Sequence, residues 1–217
     1  MTHTSQRRGL DPHRPGEEVI VLAMIAREYQ GLDGIQKAMN ELAAKMLEHG
    51  RDHWPKWTVD RLERAATGQP PSPLVAVFTE TRRVENLFED LKKKWLPRNR
   101  EKGYPISLVI TALFDDTRGL CQKEGFKEHT YLHSLGPFGK RAPQLPSGDE
   151  LSLITMCGHG LIAKNRVRKL VESIRKGEVT PAQAAEDIAR PCECGIGNKK
   201  RAQELFARLA KKFQSGP

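Results

Sequence analysis

The chain lacks any long hydrophobic run. Its longest, Val19 to Ala26, falls far short of the ~20 apolar residues that a membrane helix needs, and Glu17 and Glu18 stand directly before it. No membrane partner is expected. Met1 to Gly16 is polar and rich in Arg, His and Pro, with no apolar stretch, so it reads as a disordered leader rather than a secretory signal. Cysteine is scarce, four in 217 residues and unevenly spaced, which does not fit the disulfide framework of a secreted domain. Cytoplasmic residence with reduced or metal-bound thiols is the expectation. Several catalytic signatures are missing as well: there is no P-loop, zinc-protease helix or nucleophile elbow, and Gly158-His159-Gly160 lacks the third glycine of the dinucleotide fingerprint.

What is present is concentrated late in the chain. Cys157-Gly158-His159-Gly160 and Cys194-Gly195-Ile196-Gly197 share the pattern Cys-Gly-x-Gly, each followed by a basic amphipathic pattern, and Cys192 stands two residues before Cys194. The charge gathers in the same region. Residues 161–217 hold 13 Lys/Arg against 6 Asp/Glu, a net of +7, whereas the remaining 160 residues hold 23 against 21, a net of +2. An anionic small molecule or an acidic redox partner would be held there.

A hydrophobic content of 38% supports one sizeable core, or one core with a smaller helical appendage. After a leader at 1–17, residues 18–73 read as an N-terminal helical unit. Glu18 to Tyr29 suits a buried helix or strand, and Ile35, Met39, Leu42, Met46 and Leu47 recur at helical spacing. Thr58 is placed to cap a short helix, and the proline-rich stretch from Gly68 to Pro73 breaks the chain. Residues 74–160 read as an α/β core: strands at Leu74–Phe78, Ile106–Phe114, His129–Leu135 and Leu151–Met156 alternate with helices at Thr81–Leu96 and Asp116–Glu124. The basic segment 161–217 is helical near Ala163–Lys176, Thr180–Ala189 and Asn198–Phe213, with Pro181 in a first turn and Asn198 as an N-cap. The expected fold is therefore α/β, a small central sheet with flanking helices, closed by a C-terminal helical segment over a cysteine-lined site.

On this reading Cys157 lies at the carboxyl end of a strand and just before a helix, where α/β proteins place ligands. Gly158, Gly160, Gly195 and Gly197 would let backbone N–H groups face an anion or a cluster sulfide. A thiolate near a helix start and several cations is acidified, which suits both metal ligation and nucleophilic attack. Cys157, Cys192 and Cys194, with His159 as a further candidate ligand, make a metal set whose 34-residue interval forms a two-helix excursion. Structural zinc favours Cys-x2-Cys knuckles, whereas here the spacing is Cys-x-Cys. Iron–sulfur clusters accept ligands from scattered glycine-rich loops, so a [4Fe-4S] cluster is expected, with zinc as the alternative.

Three cysteines would leave one iron open to substrate, with His159 as acid or base, as in a cluster-dependent lyase or oxidoreductase. Closure by His159 or Cys121 would favour electron transfer or a structural role. A Cys192/Cys194 redox pair would be strained, and passive burial of thiols is common.

The other candidates have plainer readings. Cys121 packs against the sheet, His129 and His133 share one strand face, and Asp115 or Asp116 caps a helix. Trp54, Trp57 and Trp95 fill core or interface. The irregular loop from Gly136 to Gly148 is a candidate lid whose Lys140 and Arg141 would meet an anionic substrate. Nucleic-acid binding with a structural zinc is the competing function, resting on Arg166, Arg168, Lys169, Lys199, Lys200 and Arg201. Against it, Glu172, Glu186 and Glu204 alternate with the cations, and few aromatics are available to stack on bases.

Overall fold

The computed structural model describes residues 18–51, 54–65, 68, 70–127, 140, 144, 146, 148–156, 159–192 and 195–212. The chain divides after residue 129 into two compact units.

The first unit is built on β1 (Val19–Ile25), whose β-branched residues suit a strand buried on both faces. It pairs antiparallel with β2 (Leu74–Phe78) on one side and β3 (Ile106–Thr111) on the other, in the order β2-β1-β3. Val21 lies opposite both Ala76 and Ile110. Alternate residues Val19, Val21, Ala23 and Ile25, with Leu74, Ala76 and Phe78, face a helical layer. That layer consists of α1 (Ile35–Glu48), α2 (Lys56–Arg64), α3 (Thr81–Lys93), α4 (Trp95–Glu101) and α5 (Phe114–Glu124). In α1 the stripe Ile35, Met39, Leu42 and Met46 is fully buried. Trp95 fills the core and its Nε1–H donates to the Ala38 carbonyl at 2.8 Å.

Several expectations change here. Residues 18–73 are not a purely helical unit, because Val19–Ile25 is the central strand of the sheet. The alternation of strand and helix does produce two strands of like direction, β2 and β3, but β1 intervenes between them and makes every pairing antiparallel. Thr58 does not cap α2, which starts at Lys56 after Pro55. Nor does Asp115 or Asp116 cap α5. Its N-cap is Leu113, and both carboxylates stand in the first turn, where they oppose the positive end of the helix dipole.

The second unit contains α6 (Gly148–Thr155), α7 (Lys164–Arg175), α8 (Pro181–Ala189) and α9 (Lys199–Lys212). Of the expected strand Leu151–Met156, residues 151–155 are instead the body and end of α6, and Met156 follows it. A short apolar run has no period of its own to separate strand from buried helix. The deciding residues lie beside it: Asp149 and Glu150 occupy the first turn, and the Ser152 and Thr155 hydroxyls donate back to the Gly148 and Leu151 carbonyls. The other three helices stand within two residues of their expected bounds. A capping box opens α8, since Thr180 Oγ1 accepts from the Gln183 N–H at 3.2 Å while Gln183 Oε1 accepts from the Thr180 N–H at 2.8 Å. Leu153, Val167, Ala184, Leu205 and Phe206 form the centre of this unit's core.

The described residues thus form an α/β protein, mostly helical, with a three-stranded antiparallel sheet. No described helix is long and apolar enough to cross a membrane. The expected strand His129–Leu135 lies outside the described residues.

Candidate cysteine centre

The loop from α8 to α9 places Cys192. Its N–H donates to the Ala189 carbonyl at 3.0 Å and its own carbonyl accepts from the Gly195 N–H at 2.9 Å, so the chain turns tightly as α8 ends. Gly195 has φ +63°, a conformation that side chains with a β-carbon rarely adopt. Ile196 and Gly197 are buried beyond it, and a β-carbon at Gly197 would lie 3.6 Å from Cys192 Sγ. Cys192 is itself buried, within the core of the second unit.

A small cavity opens beside this thiol, bordered by Met156, Ile162, Ile188, Cys192, Gly197 and Lys199. Met156 is the residue before Cys157, Ile162 follows Gly160 by two, and Cys192 and Gly197 bracket Cys194. The chain on both sides of each Cys-Gly-x-Gly turn therefore reaches one cavity.

Cys157, Gly158, Cys194 and Arg141 lie outside the described residues, as do His129 and His133. Lys140 and His159 are exposed. Cys121 is buried in α5 of the first unit and Cys192 in the second, so no two cysteines are brought together among the described residues and a cysteine-lined site is not seen.

The strand-end argument for Cys157 does not hold, because the chain enters that turn from the C-terminal end of α6. The two turns also differ in backbone. Gly160, fourth in its motif, has φ +68°, whereas in the second motif it is the second residue, Gly195, that is left-handed. The helix following Cys157 begins only at Lys164, with Ala163 as its N-cap.

Two buried polar residues open α9. Asn198 is 1% exposed, and its Oδ1 accepts from the Arg201 N–H at 3.1 Å. That bond fixes the orientation of the amide. Its Nδ2 is buried without a hydrogen-bond partner. Arg201, 7% exposed, is buried as well. The sequence reading took Asn198 as a cap only and Arg201 as a candidate phosphate contact, which its burial does not fit. The period of α9 contained the missing signal, since Arg201 shares the apolar stripe with Leu205 and Leu209 at helical spacing.

Much of the remaining positive charge is spoken for. Arg166 forms a two-point bond with Asp187, Arg168 bonds Glu150 at 2.6 Å, Lys199 bonds Glu186 at 2.7 Å and Lys176 bonds Glu172 at 2.9 Å. These partners hold the guanidiniums of Arg166 and Arg168 and the Lys176 ammonium above their usual range, through the hydrogen bond first and then the charge.

In the first unit Glu48, His49 and Asp90 bring ligand atoms within 4.8 Å of one another. The Lys45 ammonium already stands among them, 2.7 Å from Glu48 and 2.8 Å from Asp90, so a cation is provided by the chain itself.

No protein-family model, curated protein or solved structure matches this chain.

Proposed function

We propose that the chain is an iron–sulfur protein whose cluster, of the [4Fe-4S] type, is held by Cys157, Cys192 and Cys194 in the second unit. The observation that supports this reading is proximity: Met156 and Ile162, from the flanks of the first cysteine turn, border one water-sized apolar cavity with Cys192 and Gly197 from the second, which brings the two loops together without itself having room for a cluster. Thiols delivered by two loops with glycine at Gly158, Gly160, Gly195 and Gly197 suit a cluster, which needs scattered sulfur ligands and backbone N–H donors close to its sulfides. The Cys-x-Cys spacing of Cys192 and Cys194 does not suit a zinc knuckle.

Bound there, the cluster would supply electron transfer, or Lewis-acid activation at an iron that no protein thiolate occupies. His159 is exposed in the first turn, suited either to complete the coordination or to exchange a proton with substrate. The net excess of 13 Lys/Arg over 6 Asp/Glu in residues 161–217, which already counts the bonded Glu172, Glu186 and Asp187, favours an anionic small molecule or an acidic redox partner. A cytoplasmic, cluster-dependent lyase or oxidoreductase is the activity that follows.

The alternative, a nucleic-acid binder, is less well supported. Arg166, Arg168 and Lys199 are bonded to carboxylates and Arg201 is buried, so four of the six cations that would have met phosphates are otherwise engaged.

Serine replacement at each cysteine, followed by iron and acid-labile sulfide analysis of anaerobically purified protein, tests the ligand set. Loss of iron at Cys157, Cys192 and Cys194 but not at Cys121 supports it. Equal loss at Cys121, or no loss at any of the three, contradicts it.

A further inference from the structure

The sheet of the first unit has two unlike edges. β2 is buried along its whole length, whereas β3, the other outer strand, is exposed or half-buried at every residue except Thr111. Ile25 shows which backbone groups of β3 face outward. Its N–H donates to Ser72 Oγ at 2.9 Å and its carbonyl accepts from the same hydroxyl at 3.4 Å, so both point to the β2 side. Successive residues of an antiparallel strand turn these groups to opposite sides, and the β1–β3 register is unbroken. Met24, Leu22 and Ile20 therefore bond Ser107, Val109 and Thr111, and the N–H and C=O groups of Ile106, Leu108 and Ile110 point away from the sheet. The Ile106 N–H is taken by the Tyr104 carbonyl at 2.9 Å, while no hydrogen bond reaches the outward groups of Leu108 or Ile110 among the described residues.

An open edge is a template for another strand, and proteins guard such edges with charge, proline or a bulge. The strand Ile-Ser-Leu-Val-Ile-Thr carries none of these, and Pro105 stands just before it. We propose that β3 pairs antiparallel with β3 of a second copy across a two-fold axis at Val109, which joins the two sheets into one. Outward residues must meet outward residues in such a pair. An axis at Leu108 would call on the Ile106 N–H, already given to Tyr104, whereas an axis at Val109 lets Leu108 exchange both its bonds with the partner's Ile110. The charges at the strand ends agree with this. Exposed Lys102 precedes β3 and exposed Asp115 follows it, so antiparallel pairing brings each close to the other in the second copy. The edge is thereby complementary to itself, as a two-fold contact requires.

Sedimentation velocity of the full chain over a range of concentrations, joined to oxidative cross-linking, tests this. Wild type should dimerise reversibly, and Val109→Lys, which sets like charges against each other at the axis, should weaken the dimer by about tenfold or more. Val109→Cys should give a dimer linked through residue 109, because a pair at the axis stands about 4.5 Å apart between Cα atoms and disulfides span roughly 4.4–6.8 Å. Ser107→Cys, about 14 Å from its own copy in this register, should not cross-link there. Peptide mapping separates these links from any made by the native cysteines. If Val109→Lys does not fold, the exposed charges decide: Lys102→Glu and Asp115→Lys should each weaken the dimer, and the two together should restore it. A chain that stays monomeric at every concentration, its edge open or filled by a strand of another protein, overturns the inference. So does a dimer that Val109→Lys leaves intact or that Val109→Cys does not cross-link.

Discussion

Arg208 of α9 donates to Asp149 of α6 at 2.8 Å, with Asp149 largely shielded and Arg208 partly exposed. One turn later Lys212 reaches the same carboxylate at 3.4 Å. This contact fastens together segments of the second unit that lie 59 and 63 positions apart in sequence. Asp149 also sits in the first turn of α6, where negative charge is favourable.

Replacing Asp149 with Ala should therefore destabilise the protein by about 1 kcal/mol, the sum of a part-exposed ion pair and a helix-start charge. Urea denaturation measures it, and the effect should shrink in high salt. An unchanged midpoint would mean that α6 is held by its apolar face alone.

Gly34 starts α1 with φ +74°, and a β-carbon there would collide with the Tyr104 hydroxyl, which donates to the Asp33 carbonyl at 2.6 Å. Gly34→Ala should cost about 1–3 kcal/mol in thermal or chemical unfolding, because strain in the left-handed region adds to the lost contact. A neutral result would show that the turn before α1 relaxes freely.

The Lys45–Asp90 pair gives the first unit a dependence on pH. The hydrogen bond from Lys45, then that from His49, holds Asp90 below the usual carboxylate range. The stabilisation this carboxylate gives is therefore complete above the ordinary aspartate value of about 4 and is lost as pH falls through the lowered one. Lys45 is pushed above the usual ammonium range by Asp90 and Glu48, so its share is complete below the ordinary lysine value and is lost only as pH rises through the raised one. The stability gap between wild type and Asp90→Asn should be level near neutral pH and close below about pH 4. A gap that persists in strong acid would contradict this assignment.

Phosphate binding by the second unit should be weak. At about 0.15 M salt, labelled duplex and single-stranded DNA should show no tight complex, because pairing and burial have removed most of the candidate contacts on which counterion release depends. Tight binding that collapses with salt, and collapses further when Lys199, Lys200 and Arg201 are neutralised together, would replace the cluster reading with nucleic-acid recognition.

The sequence was informative wherever a period or a cap was strong. The stripe of α1, Pro181 in the first turn of α8 and the Asn198 cap are local signals, and their helices stand close to where they were expected. It was misleading at Leu151–Met156, where a run without a clear period became the last part of α6 and the residue after it, and it left Val19–Ile25 open as a buried helix or strand, because its place in the middle of the sheet depends on partners 50 or more residues away in sequence. The cysteine motifs marked a region rather than a geometry, since the fourth residues of the two turns differ, Gly160 being left-handed and Gly197 not. The buried polar pair Asn198 and Arg201 went unread because burial of a charge depends on what packs against it.

Iron, acid-labile sulfide and zinc analysis of wild-type protein purified without oxygen, with its visible spectrum, tests the central claim most directly. The account predicts brown protein with broad absorption near ~400 nm, carrying iron and sulfide that are lost on exchange of Cys192 for Ser. Colourless protein without iron, or with one tightly held zinc, would contradict it.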